Sequence, residues 1–288
     1  MPVPPVEETV TGTLGYLESS EARPAIDMYE RGDGRPQDPN AYDVRNVDIR
    51  NARRGRRTRL HSEGFELWHA PSAVRDFHDD DEVVRRYYPE AVELACLATG
   101  ASRGYVFDHT LRQREVGRPA LTFGRHGNGR NPAAVGRIHN DYTEASGLAR
   151  LGLVLEDRAA IERVSRFAIV NIWRSIAGPV VDTPLAVCDA RTVSSRDFVS
   201  AEIRYQERSG EIYLMTHAPG HRWCYFPEMD RDEVLIFKQY DSQISGTARF
   251  TPHAAFDLPA VPDDAPLRQS VEVRCLVVFD RVPGGRSL

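Results

Sequence analysis

After Ser165 the chain breaks into short runs rich in β-branched and aromatic residues, each closed by turn residues. Residues 167–173, 202–204, 211–216, 223–226, 234–238, 247–250 and 271–279 are such runs. Side chains of this kind fit a pleated, half-buried surface, so strands at this spacing predict an antiparallel sandwich or barrel. No G-x-G-x-x-G follows a strand and there is no P-loop, which argues against a doubly wound nucleotide fold. Ahead of these runs, residues 79–99 read as a helix. Acids at 79–82 suit the positive end of its dipole, and Gly100 is a natural stop. Pro89 and Glu90 are expected to break it in two. A second helix is expected over 148–164, with Gly152 inside it. The fold class that follows is α+β in one domain, 1–288. Residues 1–60 read as an arm, 61–165 as a largely helical layer and 166–288 as the β core. The arm is rich in Pro, Gly, Asp and Arg and carries strand-like pieces such as 11–17, which would wrap the core or pair with another subunit.

Charge and cysteine usage narrow the function. Forty-two acids against 37 bases, mixed along the chain, give a net charge of -5, so a nucleic-acid partner is not expected. The densest basic cluster, Arg53, Arg54, Arg56, Arg57 and Arg59, reads as a solvated loop, with substrate or subunit contact as the alternative. Cys96, Cys188, Cys224 and Cys275 are widely spaced and form no C-x-x-C pair, as in reduced proteins of the cytoplasm. The start, MPVPPVEETV, lacks a basic and an apolar signal region, and no apolar run is long enough to span a bilayer. A soluble, cytoplasmic protein with no membrane partner is expected, with a homo-oligomer possible.

Chemistry concentrates at Gly136-Arg137-Ile138-His139-Asn140-Asp141-Tyr142-Thr143. In a strand, i and i+2 point to the same face, so His139 and Asp141 would aim into one cavity. An imidazole and a carboxylate so placed can take adjacent positions on one metal ion. Two histidines with one carboxylate leave the opposite face open, as in non-haem iron(II) oxygenases. A strand-end histidine and a turn aspartate making ordinary hydrogen bonds is the alternative. Further on, Thr251-Pro252-His253 ends an apparent strand, and the last strand opens with Arg268-Gln269-Ser270-Val271-Glu272-Val273-Arg274. Alternation puts Arg268, Ser270, Glu272 and Arg274 on one face. Two arginines on a core face need an anionic partner. That partner is either Glu272 or the distal carboxylate of a bound oxoacid.

These stretches resemble the bacterial and fungal hydroxylase/desaturase family that includes the cephamycin methoxylation protein and the fungal gibberellin desaturase. The landmarks run through most of the chain. They include Tyr87-Tyr88-Pro89-Glu90, Val106-Phe107-Asp108-His109, His139-Asn140-Asp141-Tyr142-Thr143, Asn171-Ile172-Trp173-Arg174 and Trp223-Cys224-Tyr225-Phe226-Pro227. Later ones are Phe237-Lys238-Gln239-Tyr240-Asp241-Ser242, His253-Ala254-Ala255-Phe256 and the Arg268 to Arg274 stretch. Where the family often reads Trp-Arg-Pro, this chain has Trp173-Arg174-Ser175. The resemblance implies a double-stranded β-helix (jelly-roll) core with flanking helices, and iron(II) as cofactor with 2-oxoglutarate and O2 as co-substrates. It implies His139, Asp141 and His253 as metal ligands, and Arg268 with Ser270 as the oxoglutarate anchor. Arg274, on the same strand face, is the competing arginine, with an ion pair to Glu272 as its alternative. It also implies Asn171, Trp173 and Arg174 as substrate or oxoglutarate contacts. By alternation Asn171 and Trp173 face one side of their strand and Arg174 the other, so a structural Arg–acid pair is its alternative. The substrate would be a small specialised metabolite, hydroxylated, desaturated or cyclised. The rivals are an iron oxidase of the same fold that needs no oxoglutarate and a non-catalytic binding protein.

Other candidates read as structural. His217 and His221 have zinc-like spacing, but Pro219 and Gly220 between them predict a turn beside a strand. His109 and His126 sit in a polar, Arg-rich stretch, with surface positions expected and substrate contact as the alternative. Lys238, Tyr240 and Asp241 lean towards structure, and Ser194-Ser195 shows no G-x-S-x-G elbow.

Overall fold

Two β-sheets carry most of the chain in a computed structural model that describes residues 8–29, 32, 36–121, 132–262 and 264–280. The N-terminal part gives β1 (Thr9–Leu17), β2 (Ala25–Asp27), β3 (Tyr42–Asn51) and β4 (Phe65–His69). A helical stretch follows: α1 (Asp80–Glu82), a π-helical turn (Val83–Tyr87) and α2 (Tyr88–Thr99). Next come β5 (Arg103–Gln113), β6 (His139–Asn140), α3 (Glu144–Leu155), α4 (Arg158–Glu162), β7 (Val164–Ser175) and β8 (Leu185–Cys188). The chain continues through β9 (Phe198–Arg204), β10 (Ser209–Met215), β11 (Trp223–Tyr225), β12 (Glu233–Asp241), β13 (His253–Ala255) and β14 (Gln269–Asp280). The nine-stranded sheet has the order β1-β3-β11-β8-β13-β6-β10-β9-β2, and the five-stranded sheet β4-β12-β7-β14-β5.

The sheets curl against each other. Phe65, Trp173, Leu235 and Phe237 from the five-stranded sheet share one buried cluster with Leu185, Val187 and Cys224 from the other. On the outer face of the five-stranded sheet, Val83, Tyr87, Ala91 and Ala95 pack on Val170, Ile172, Val273 and Cys275. The helix over 80–99 therefore covers that sheet through the apolar stripe its sequence carries. Asp79 caps it, its side chain accepting from the Glu82 amide at 3.1 Å. Gly100 closes it with φ 73°, a left-handed value that costs glycine little.

Several boundaries differ from expectation. Pro89 falls in the first turn of α2, where its missing N–H is harmless, and the π-helical turn before it carries the helix through without a break. The second helix starts at Glu144, because Thr143 and Ser146 form a reciprocal cap, and it stops at Leu155 before a separate α4. Residues 247–250 form no strand, and His253 opens β13 rather than ending a strand. Residues 1–60 are more than an arm. β1 pairs with β3 along its whole length, β3 lies beside β11, and β2 closes the other edge of the nine-stranded sheet. Within 61–165, β4, β5 and β6 stand beside the helices.

Candidate metal centre

β6, β13 and β8 are neighbours, and the β6–β13 register sets His253 directly opposite His139. Asp141 follows two residues after His139, on the same side. One ligand atom from each of His139, Asp141 and His253 lies within 4.8 Å of the other two, and among the described residues no other group of metal-binding side chains meets this criterion. The His139 Nε2 and Asp141 Oδ1 are 3.6 Å apart, and the two imidazole centroids 4.3 Å.

Each ligand is turned by a neighbour. The His139 Nδ1 faces the Arg137 carbonyl at 3.0 Å and the His253 Nδ1 the Thr251 carbonyl at 3.4 Å. An Nδ1–H donated to a carbonyl leaves the Nε2 lone pair for a metal. Asp141 Oδ2 accepts from Asn171 Nδ2 and from Arg274 Nε, both at 2.8 Å, which leaves Oδ1 for the ion. Asn140 ties the motif down. Its Nδ2 donates to the Tyr142 and Gln239 carbonyls at 2.8 and 2.9 Å, and its Oδ1 accepts from the Thr251 amide at 3.0 Å. The Gln239 Oε1 accepts from the Asp141 amide at 2.7 Å.

Electrostatics suit a divalent cation. Burial raises the Asp141 pKa, but Arg274, the two histidines and the Asn171 hydrogen bond outweigh it and hold the carboxyl well below the usual range. Burial, helped by His253, pushes His139 well below its ordinary value, so the ring is neutral and its lone pair free. The donor set of two imidazoles and one carboxylate on one side of a cavity fits a mononuclear iron(II) site with open positions. Two buried atoms beside it, Asn171 Oδ1 and Trp173 Nε1, have no hydrogen-bond partner among the described residues.

Two spaces meet at the triad. A cavity of about 370 Å3 is lined by His139, Asp141, Tyr142, Arg112, Arg137 and Arg274, among others. A narrow cleft of about 20 Å3 that shares His139 and Arg112 with this cavity is lined by His253, Trp173, Arg268 and Glu272 as well. Arg268 is buried there. Its Nη1 donates to the Thr183 carbonyl at 2.9 Å, its Nε to Ser270 Oγ at 3.2 Å, and its guanidinium lies 5.3 Å from the Trp173 ring centroid. Among the described residues no carboxylate comes within 4.0 Å of that guanidinium. Burial, with Arg112 nearby, pushes its pKa down to about 10.

A family model described as an oxidoreductase/YMDC permease-like domain matches residues 14–278. The alpha-ketoglutarate-dependent dioxygenase phiK of a fungus (Fungal sp., strain ATCC 74256) is 33% identical over 263 residues, 86% of this chain and 92% of its own length. The hydroxylase/desaturase efuI of Hormonema carpetanum is 31% identical over 77% of this chain and 79% of its own. Among solved structures, the iron and alpha-ketoglutarate-dependent endoperoxidase NvfI superimposes with a TM-score of 0.82 at 25% identity, over 96% of this chain and all of that one. The chain belongs to the hydroxylase/desaturase family of iron(II)/2-oxoglutarate-dependent dioxygenases.

Within this family member, two expected contacts are corrected. Arg274 is not open to an oxoacid: it bonds Asp141, Asp108 Oδ1 at 3.1 Å, Glu272 Oε1 at 2.9 Å and Thr110 Oγ1 at 3.2 Å. Those acids raise its pKa well above the ordinary value although burial opposes it. Arg174 faces away from the centre, as strand alternation requires. It is fully buried against the helix layer, donating to Tyr87 Oη at 2.9 Å, the Arg231 carbonyl at 3.0 Å and the Ala70 carbonyl at 2.9 Å. Asn171 and Trp173 do point to the centre. His221 bonds Asp197 at 3.0 Å, and a Tyr16 ring stacks at 5.7 Å, away from the triad. His109 bonds Tyr88, and His126 lies outside the described residues. Lys238 and Arg166 both bond Asp241. Gln239, Arg112, Asp108 and Thr110 went unread as site residues. The alternation of Asp108, Thr110 and Arg112, which match Arg274, Glu272 and Ser270 across β5 and β14, was the signal for three of them.

Proposed function

We propose that the chain is an iron(II)/2-oxoglutarate-dependent dioxygenase that hydroxylates, desaturates or cyclises a small specialised metabolite. The convergence of His139, Asp141 and His253, with Asp141 Oδ2 already bonded and Oδ1 left over, carries this reading. In it one domain forms a double-stranded β-helix (jelly-roll) core with flanking helices. The four free cysteines fit a reducing, cytoplasmic setting.

His139, Asp141 and His253 would hold iron(II), which supplies O2 activation coupled to oxidative decarboxylation of the oxoacid. The protein's part is placement. Arg274 and Asn171 fix the rotamer of Asp141, and the Arg137 carbonyl fixes that of His139. Arg268, with the Ser270 hydroxyl, would bind the distal carboxylate of oxoglutarate, and Trp173 lines the same cleft as Arg268, His139 and His253. The cleft as it stands has room for about one water, so it would have to widen as a five-carbon diacid enters. The larger cavity would then take the substrate and exclude bulk water from the reacting face.

The test is anaerobic reconstitution followed by an oxoglutarate assay. We expect about one iron per chain, succinate formation on exposure to O2, and loss of both in His139→Ala, Asp141→Ala and His253→Ala with the melting curve retained. Near wild-type turnover in one variant removes that residue from the site. Iron binding without succinate hands the chain to the oxoglutarate-independent oxidases, and absence of iron binding to the non-catalytic reading.

A further inference from the structure

The large cavity carries more arginines than carboxylates. Arg112, Arg137, Arg150, Arg208 and Arg274 line it, against Asp108, Asp141 and Glu211. Arg274 is saturated by three carboxylates, Arg137 lies 3.5 Å from Asp38, and Glu211 pairs with Arg23. Arg112 is placed differently. It stands on β5 opposite Ser270, and its Nη1 donates to the Ala133 carbonyl at 3.0 Å. Among the described residues no carboxylate comes within 4.0 Å of it. Burial pushes its pKa down to about 10, with Glu272 opposing and Arg274 adding to the effect. Arg150, on α3, is held by the faces of Phe107 and Tyr142 at 4.7 and 5.8 Å and likewise meets no carboxylate among the described residues. Both arginines are half-buried, and a guanidinium that faces no carboxylate is a ready partner for a bound anion.

We infer that the organic substrate is a carboxylic acid whose carboxylate docks on Arg112 inside the large cavity. This rests on the oxygenase reading above. Arg112 borders both spaces at His139, while Arg268 with Ser270 offers a separate seat in the cleft. Two carboxylates, one from each reactant, then have one arginine each, and Met28, Leu153, Ile203 and Ile212 give the carbon skeleton an apolar wall. Charge-assisted, bidentate pairing gives an acid an advantage that its amide lacks.

The experiment uses the full chain loaded with manganese(II) and N-oxalylglycine, each binding step measured first. Three apolar acids (3-phenylpropanoic, cyclohexylacetic and octanoic) and their primary amides are then titrated, with tryptophan fluorescence as the readout. At least one acid is expected to bind about tenfold more tightly than its amide. Arg112→Gln abolishes that preference, Arg112→Lys keeps part of it, and both variants bind N-oxalylglycine as wild type does. If no acid outcompetes its amide in the wild type, or the preference survives in Arg112→Gln, the inference is overturned. It is equally overturned if Arg112→Gln weakens N-oxalylglycine instead, since Arg112 then holds the oxoacid. Failure of manganese or N-oxalylglycine to bind the wild type overturns the oxygenase reading and this inference with it; normal loading without acid preference overturns this inference alone.

Discussion

Arg268 stands just before β14 and Arg274 in its middle, six positions apart, and their surroundings are opposite. Around Arg274, Asp141, Asp108 and Glu272 supply three carboxylates within 3.1 Å. Around Arg268 there are a carbonyl, a hydroxyl and an indole face, and among the described residues no carboxylate within 4.0 Å. Fully extended, the two positions are about 20 Å apart, too far for one small diacid to bridge. One residue type therefore does two jobs on one strand. A saturated guanidinium holds a metal ligand in place, and an unsaturated one is free to take an anion from outside.

The sharpest way to break the comparison is Arg274→Met. It leaves Asp141, Asp108 and Glu272 near one another without their shared cation, and breaking a buried pair this way typically costs about 3–5 kcal/mol. A large fall in chemical-denaturation stability is expected, together with weaker iron binding because Asp141 loses one of its two Oδ2 donors. Wild-type stability with a raised oxoglutarate KM would swap the roles of the two arginines.

A third arginine sharpens the contrast from the other side of the sheet. Arg174→Met removes donors to Tyr87 and to the Arg231 and Ala70 carbonyls, leaving buried acceptors unpaired. The expected loss is about 2–4 kcal/mol of stability, with iron content and substrate KM unchanged. A substrate KM that rises at unchanged stability would return Arg174 to the cavity.

Arg174 also marks where the sequence was legible and where it was not. The triad could be read because i, i+2 alternation puts His139 and Asp141 on one face, and because the surrounding landmarks resemble a known family. The same alternation set Arg174 on the far side of β7 from Asn171 and Trp173, but a contiguous family landmark drew all three together. The helix over 80–99 was legible from its caps and apolar stripe. Residues 247–250 misled because Phe250 is apolar for another reason: it packs on Tyr213, Phe198 and Tyr240 without joining a ladder. Gln239 and Arg112 were hidden because their roles depend on which strands become neighbours. β5 meets β14, and Gln239 sits at the bulge where β12 slips against β7. The arm was underread because β1, β2 and β3 are completed by β9 and β11, far along the chain.

At the open end of β14, Arg268→Ala is expected to raise the oxoglutarate KM roughly tenfold to a hundredfold, as for loss of a charge-assisted contact of about 1.5–3 kcal/mol. Iron affinity should hardly change. Stability should fall less than in Arg274→Met, because the variant strands no carboxylate among the described residues and gives up only the bonds to the Thr183 carbonyl and to Ser270. Oxoglutarate titrations with parallel melting curves on Arg268→Ala and Arg274→Met measure the contrast directly, and equal profiles for the two would erase it.

The smallest effect is expected at Ser270. Its Oγ accepts from Arg268 Nε at 3.2 Å, so the hydroxyl hydrogen is free to turn towards the cleft. A carboxylate held by Arg268 would receive that hydrogen as one more bond. A single hydrogen bond nets about 0.5–1.5 kcal/mol, so Ser270→Ala should raise the oxoglutarate KM about twofold to tenfold. The decisive measurement is the double variant. If Ser270 acts on the same carboxylate as Arg268, removing it after Arg268→Ala should cost less than removing it from the wild type, because the ligand is no longer held against the hydroxyl. Full additivity would mean that Ser270 supports the strand and not the ligand. The unsaturated end of β14 would then rest on Arg268 alone.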